Sequence, residues 1–282
     1  MVSFFESVVR DHSKDHAVTV TRNGATRSPP NPYTTLLDST TPDQPIDQPR
    51  SVQLETRKMS RMHLVDKVKA RSHNLAIEKL VRTKPRADMV RLGTSYGGWW
   101  LPQNLIDKQS ICYLVGLGED ASFDLALTEG YGCEVWSMDP TPRSITFAET
   151  IDDPRFHFMP VGVWSSEKTL RFYAPQNPTH VSHSIVNAQG TTTYFEAECK
   201  TLLAIMAELG HDRIDLLKMN IEGAETEVVA DMLANGPTPR VLLVAFESAS
   251  GTVRDLRCVR SLTAHGYIPV AVQGHSITFV RD

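Results

Sequence analysis

The chain has 282 residues and a mass of 31.4 kDa, with 41% hydrophobic and 22% charged residues and a formal net charge of −4. That is room and apolar content for one large domain, or for one domain with a substantial extension. The balance argues against a nucleic-acid binder at whole-chain level. No run approaches the roughly 20 apolar residues of a membrane-spanning helix, and the opening MVSFFESVVRDHSKDH lacks the basic flank and long apolar run of a secretory signal.

Residues 1–50 read as a Pro-rich, disordered tail. Six of the 17 prolines fall between Pro29 and Pro49, among Ser, Thr, Asp, Asn and Gln, and such a stretch buries too little to offset chain ordering. Residues 51–90 turn basic and helical. Met62, Val65 and Val68, then Ile77, Leu80 and Val81, recur at three- and four-residue spacing with Lys and Arg between them, until Pro85 stops the pattern. From Ser51 to Arg91 eleven Lys/Arg stand against four Asp/Glu, a local excess of +7 that leaves −11 for the rest of the chain. The segment is expected to be a helical extension packed on the main domain; contact of its basic face with an anionic surface or partner is the other reading.

Residues 91–282 alternate short apolar runs with helical patterns, which predicts an α/β domain built on a doubly wound, mostly parallel sheet. The predicted strands are Ile111–Gly116, Glu134–Met138, Phe156–Val161, Ile214–Met219, Val241–Phe246, Pro269–Val272 and Ser276–Val280. The predicted helices are Ser122–Glu129, Leu202–Leu209, Ala224–Leu233 and Val253–Ala264. Only Gln273-Gly274-His275 separates the last two strands, so they form a C-terminal antiparallel hairpin. Between the third and fourth strands lies Trp164–Cys199, with an extra hairpin expected around Thr169–Tyr173. Cys112, Cys133, Cys199 and Cys258 show no CxxC or CxxH spacing, so they read as reduced core residues of an intracellular, cytoplasmic protein with no metal site.

The first strand runs into Gly116-Leu117-Gly118-Glu119-Asp120-Ala121-Ser122 and then a helix. Gly116 permits a tight turn, Gly118 lets backbone approach a ligand, and 21 residues beyond Gly118 the second strand ends in Asp139-Pro140, an acid placed to bond ribose hydroxyls. The spacing alone does not choose between NAD and S-adenosylmethionine. Charge favours the latter. A dinucleotide rests its pyrophosphate on the helix N-terminus, where Glu119 and Asp120 would repel it, whereas S-adenosylmethionine carries an ammonium and a sulfonium. A glycine turn with capping acids and no ligand is the remaining alternative.

The fourth strand ends in Lys218-Met219-Asn220-Ile221-Glu222-Gly223-Ala224-Glu225. Alternation puts Leu216, Lys218 and Asn220 on one face and Leu217, Met219 and Ile221 on the other. Ligands of open α/β sheets bind beyond the carboxyl ends of the strands, so Asn220 and Glu222 are expected where donor and acceptor meet, while Glu225 caps the next helix. With this segment the chain resembles the FkbM-type family of S-adenosylmethionine-dependent methyltransferases, in particular its methyltransferase-like subgroup. The residues that carry the resemblance are Lys218 to Glu225, Tyr96-Gly97-Gly98-Trp99, the run Gly116 to Asp124, and Asp139-Pro140-Thr141-Pro142, in that family's order. It spans roughly Arg91 to Asp282. It implies a seven-stranded, Rossmann-like class I methyltransferase fold, S-adenosylmethionine as cofactor, and methyl transfer to oxygen. Asn220 stands where the family pattern has Asp, and Leu114 where many methyltransferases have an acid. The ammonium must then meet Glu119 or Asp120.

Methyl transfer is an in-line displacement that rests on alignment, and a hydroxyl acceptor must also lose its proton. His180 and His183 lie in the inserted segment; His183, beside Ser184, is the first candidate base, followed by Glu222, with Asn220 at the same place. Tyr96 to Trp100 are expected to line a pocket or to pack, Gly162 to belong to the cofactor site, and Trp164 to lie near the adenine or in a core or edge position. The function expected is O-methylation of a small-molecule or carbohydrate acceptor. A catalytically degenerate cofactor-binding scaffold and an NAD-dependent oxidoreductase are the alternatives.

Overall fold

The computed structural model describes residue 65 and residues 67–175, 183–185, 187, 190–247 and 251–281. The Pro-rich tail expected at 1–50, and His180, lie outside the described residues. Residues 67–80 are helical and form α1. The chain continues through β1 (Met89–Leu92), β2 (Trp99–Pro102), β3 (Ile111–Val115), α2 (Ser122–Tyr131), β4 (Glu134–Met138), α3 (Pro142–Ala148) and β5 (Phe156–Met159). There follow β6 (Gly162–Val163), β7 (Lys168–Tyr173), β8 (Tyr194–Lys200) and α4 (Leu202–Leu209). The chain closes through β9 (Leu216–Met219), α5 (Glu225–Asn235), β10 (Val241–Ala245), α6 (Thr252–Ala264), β11 (Ile268–Gln273) and β12 (Ser276–Val280).

Seven strands form the central sheet in the order β11-β12-β10-β9-β3-β4-β5. β10, β9, β3, β4 and β5 run parallel, and β12 pairs antiparallel with both β10 and β11. This is the sheet expected of a class I methyltransferase. The chain leaves β3 towards β4 and β5 and returns on the other side at β9, which makes the β3–β9 junction the topological switch point.

The central strands are apolar on both faces because both are covered. Tyr113, Val115, Leu217, Met219, Leu242 and Val244 join a core with α4, α5 and α6 residues, including Ile205, Val228 and Leu262. Cys112, Leu114, Leu216, Leu243 and Ala245 join a second core with Phe123 and Leu127 of α2 and Trp99 and Leu101 of β2. The alternation expected along β9 is therefore the one observed.

Local chemistry sets the element ends. Thr201 accepts a hydrogen bond from the Ala204 amide at 3.1 Å and caps α4. The α3 helix, absent from the sequence-based elements, starts on Pro142, where a missing N–H costs nothing because a first-turn amide has no helical partner. β9 begins at Leu216 rather than Ile214, since the Asp215 carboxylate is turned to the Ile111 amide at 2.8 Å. The hairpin expected around Thr169–Tyr173 is the antiparallel pair of β7 with β8, separated by a longer segment than a tight turn.

One face of α1 is built into the body. His73 and Ile77 are buried, as is Val81 just beyond the helix, and Ile77 and Val81 belong to the core shared with α4, α5 and α6. His73 Nε2 lies 2.7 Å from the Phe246 carbonyl, and Glu78 accepts from the Gly274 amide at 2.8 Å in the β11–β12 turn. Among the described residues, no helix is long and apolar enough to cross a membrane.

Candidate functional site

A cleft of about 1180 Å³ opens over the carboxyl ends of β3, β4, β9 and β10. All of the site residues expected from the sequence line it: Gly116, Leu117, Gly118, Glu119, Asp120, Asp139, Pro140, Gly162, His183, Asn220 and Glu222. They come from segments more than 100 positions apart.

The glycine turn forms one wall. Gly116 has φ +87°, and a Cβ there would stand 2.0 Å from the Asn220 carbonyl oxygen. The close approach this glycine allows is thus first of all that of β9 to β3, at the switch point. Gly118, also at positive φ, donates its amide to Asp139 Oδ2 at 3.0 Å, and the Thr141 amide donates to Asp139 Oδ1 at 2.9 Å. Asp139 therefore locks the turn to the end of β4, while each of its oxygens keeps a second lone pair.

The two acids of the turn have different surroundings. Glu119 pairs with the Arg143 guanidinium at the first turn of α3, and both side chains are exposed. Asp120 points the other way: its carboxylate accepts from the Thr94 hydroxyl at 2.6 Å and the Ser122 amide at 2.9 Å. Burial alone would raise the Asp120 carboxyl, but those hydrogen bonds outweigh it and hold the group below the usual carboxylate range. Gly97 leaves room for this acid, since a Cβ there would lie 2.6 Å from Asp120 Oδ2. That contact explains why Tyr96-Gly97-Gly98-Trp99 belongs with the glycine turn. All three of its aromatics border the cleft, Trp99 from the core and Tyr96, at 86% exposure, and Trp100 from the surface.

Below the turn lies a charge the sequence pattern did not single out as a site. Lys218 is 7% exposed and donates Nζ to the Gly116 carbonyl at 2.6 Å. Burial pushes its ammonium down, and Asp124, Asp139 and Asp120 oppose that shift. Asp124, in the first turn of α2, is fully buried; burial pushes its carboxyl up, with Lys218 acting against the shift. Both belong to the motifs, but only the fold brings them together.

The opposite wall is assembled from loops. Glu222 is a non-glycine residue at φ +56°, a strained conformation of the kind that collects at binding and catalytic sites. Its carbonyl accepts from the Ser184 hydroxyl at 2.7 Å, and Ser184 is bridged to Tyr173 at the end of β7. This tie carries His183 to the cleft, where its ring packs edge-on against Phe195 at 5.1 Å. Glu225 does more than cap a helix: its carboxylate accepts from the Ile221 and Gly223 amides at 2.8 and 2.9 Å and holds the loop that carries Glu222. Burial pushes the Glu225 carboxyl up to about 8, against hydrogen bonds from its own amide and the Ile221 amide, which favour the charged form.

Two further residues of this wall are absent from the sequence-based candidates. His275, in the β11–β12 turn, and Glu247, just beyond β10, line the cleft with Nε2 and Oε1 3.4 Å apart. Burial pushes His275 down, helped by the nearby His73 and opposed by Glu222; burial and the charge of Asp255 push Glu247 up. Both shifts favour neutral forms, and a neutral imidazole can take a proton. No short motif marks either residue, because 27 positions of chain separate them and only sheet pairing joins them. Trp164 does not line the cleft and lies at an edge, with Lys168 Nζ 5.7 Å from its ring. Gly162 lines it, and a side chain there would meet Cys199 Sγ at 2.6 Å. Leu114 is core.

Comparison with known proteins agrees with this arrangement. The model of the Methyltransferase FkbM domain matches residues 113–268, from the middle of β3 to the start of β11. The chain is 28% identical over 148 residues to a rat protein described as "Probable methyltransferase-like protein 24" and 26% identical over 148 residues to the human protein of that description. Each match takes in 52% of this chain, and it spans about a third of the relatives' length, 35% and 34%. The glycine turn, the acid ending β4 and the Lys218–Glu225 run all fall inside the matched region, and the chain belongs to the FkbM methyltransferase family.

Proposed function

We propose that the chain is an S-adenosylmethionine-dependent methyltransferase that acts on a hydroxyl oxygen of a small-molecule or carbohydrate acceptor. The observation that carries this reading is the charge of the cofactor wall. Asp120, Asp124 and Asp139 surround the turn and the α2 N-terminus, where a dinucleotide would need to seat a pyrophosphate.

When bound, S-adenosylmethionine supplies an electrophilic methyl on a sulfonium. Gly116, Leu117 and Gly118 would hold it against β3, and Asp139 and Pro140 would sit at the ribose. Asn220 would fix the end that faces the acceptor; an amide can orient a hydroxyl but cannot act as a base. Removal of the acceptor proton falls to the opposite wall, which offers His183, Glu222 and the neutral His275. The strained Glu222 loop, tied down by Glu225 and Ser184, would align the acceptor in line with the donor. The four cysteines, all free and buried, support the cytoplasmic reading.

Asn220 in place of the family's Asp favours one other reading, a scaffold that binds cofactor without turnover. Calorimetry with S-adenosylmethionine, S-adenosylhomocysteine and NAD separates the possibilities. Binding of both adenosyl ligands and not NAD is expected; binding of NAD alone would overturn the proposal. Activity gained only in Asn220→Asp would favour the scaffold.

A further inference from the structure

Helix α1 lies wholly outside residues 113–268, the part of the chain matched by the family model, yet it reaches the facing wall of the cleft. His73 on its buried face is 3% exposed. Its Nε2 is 2.7 Å from the Phe246 carbonyl oxygen, which can only accept, so Nε2 carries a proton and donates it. Nδ1 is 2.9 Å from the Thr252 hydroxyl at the opening of α6, and Asp255 Oδ2 lies 3.6 Å from Nε2. One ring thus grips the chain before and after Glu247. The Phe246 amide in turn donates to the His275 carbonyl at 2.9 Å. Four positions along α1, Glu78 accepts from the Gly274 amide at 2.8 Å, and a Cβ on Gly274 would stand 3.3 Å from Asn74 Nδ2. An apolar side chain at 73 would extend the buried face of Ile77 without desolvating two nitrogens. The imidazole instead directs both at the segments around Glu247.

We propose that His73 is a positioning residue for the Glu247–His275 pair, fixing the chain on both sides of Glu247 while Asn74 and Glu78 hold the turn that carries His275. That this wall receives the acceptor rests on the function proposed above. The electrostatics run through the same groups. His275 faces Glu247, Glu222 and His73; burial lowers it, His73 adds to that and Glu222 opposes it, while burial and Asp255 raise Glu247.

The test is an NMR titration of the His275 ring in the full chain, assigned with His275→Gln. In His73→Leu the loosened turn admits water, and the His275 midpoint should move up towards that of an ordinary imidazole. Exchange of the Phe246 and Gly274 amides should quicken about tenfold. His73→Gln keeps a donor for the Phe246 carbonyl and should restore both readouts most of the way. Both variants lack the imidazole charge, so the difference between them reports the hydrogen bond. Thr252→Val, a milder change that frees Nδ1, should give a smaller upward shift and decides the matter if His73→Leu does not fold. Ile77→Ala should lower stability without moving the His275 midpoint. An unmoved midpoint in the His73 and Thr252 variants would overturn the proposal. So would equal shifts in His73→Leu and His73→Gln, or a shift of the same size in Ile77→Ala. Calorimetry with S-adenosylhomocysteine keeps the two readings apart: affinity within about twofold of the unmodified chain is expected in every variant. Failure of the unmodified chain to bind it would sink the cofactor reading and leave the titration to judge His73.

Discussion

The two walls of the cleft are built in different ways. The wall formed by the glycine turn is a contiguous motif braced by hydrogen bonds: Asp139 holds Gly118 and Thr141, Asp120 holds Thr94 and Ser122, and Lys218 holds Gly116. The facing wall gathers His183, Glu222, Glu247 and His275 from four separate loops, fixed by a bridge to β7, a strained residue, a strand end and a hairpin turn. The first can hold one unchanging ligand through motif chemistry. The second can be altered loop by loop without disturbing the sheet, as suits the acceptor wall of the function proposed above.

Five perturbations sharpen or break this contrast. Gly116→Ala strikes the seam of both walls, because its Cβ would lie 2.0 Å from the Asn220 carbonyl at φ +87°. A loss of about 4 kcal/mol in denaturant unfolding is expected from overpacking and backbone strain combined. A fully stable variant would mean that the β3–β9 seam is looser than described.

Lys218→Met removes the cation beneath the turn and leaves Asp124 buried without a counter-charge. It should cost about 3 kcal/mol in the same measurement. Adding Asp124→Asn should recover part of that loss; no recovery would show that the two do not act as a pair.

Asp139→Ala releases the Gly118 and Thr141 amides and should weaken S-adenosylhomocysteine binding about 10-fold. Unchanged affinity would place the ribose elsewhere.

Glu225 gives the facing wall a pH signature. Its folded pKa of about 8 lies above the ordinary 4.5, so between those values the folded state holds a proton that the unfolded state has released. Its contribution to stability is present at low pH and declines as pH rises from about 5 through 8. Glu225→Gln should flatten that slope in unfolding curves taken across the range. An identical slope in the variant would show that the two amide donors keep Glu225 ionised.

The smallest effect is expected from His275→Ala. If the walls are separate, it leaves S-adenosylhomocysteine affinity within about twofold, since it touches only the acceptor side. A large loss would show that the cofactor reaches both walls.

Much of the fold could be read from the chain because it is written in local patterns. Glu134–Met138, Leu202–Leu209 and Ser276–Val280 have the predicted bounds, since an apolar run between turn residues, or a Thr before an aliphatic helix, acts over a few positions. The α3 helix escaped because Pro140 and Pro142 look like breakers when it is not yet known that one precedes the N-cap and the other opens the first turn. The same division holds at the site. Gly116, Gly118, Asp139 and Glu222 occupy contiguous motifs and could be named in advance, although their partners could not. That Glu119 pairs with Arg143, and that Glu225 holds the Glu222 loop, depends on side-chain directions set by the helices that follow.

By itself, then, the sequence determined the strand and helix periods, the turn that opens the cleft and the acids beside it, because these depend on residue type and short spacing. Tertiary structure decided which partners tie the acids down, that Lys218 lies beneath the turn, and that His275 meets Glu247. Those outcomes depend on burial and on pairing across the sheet. Both are properties of residues far apart in the chain, brought together only when the strands close in the order β11-β12-β10-β9-β3-β4-β5.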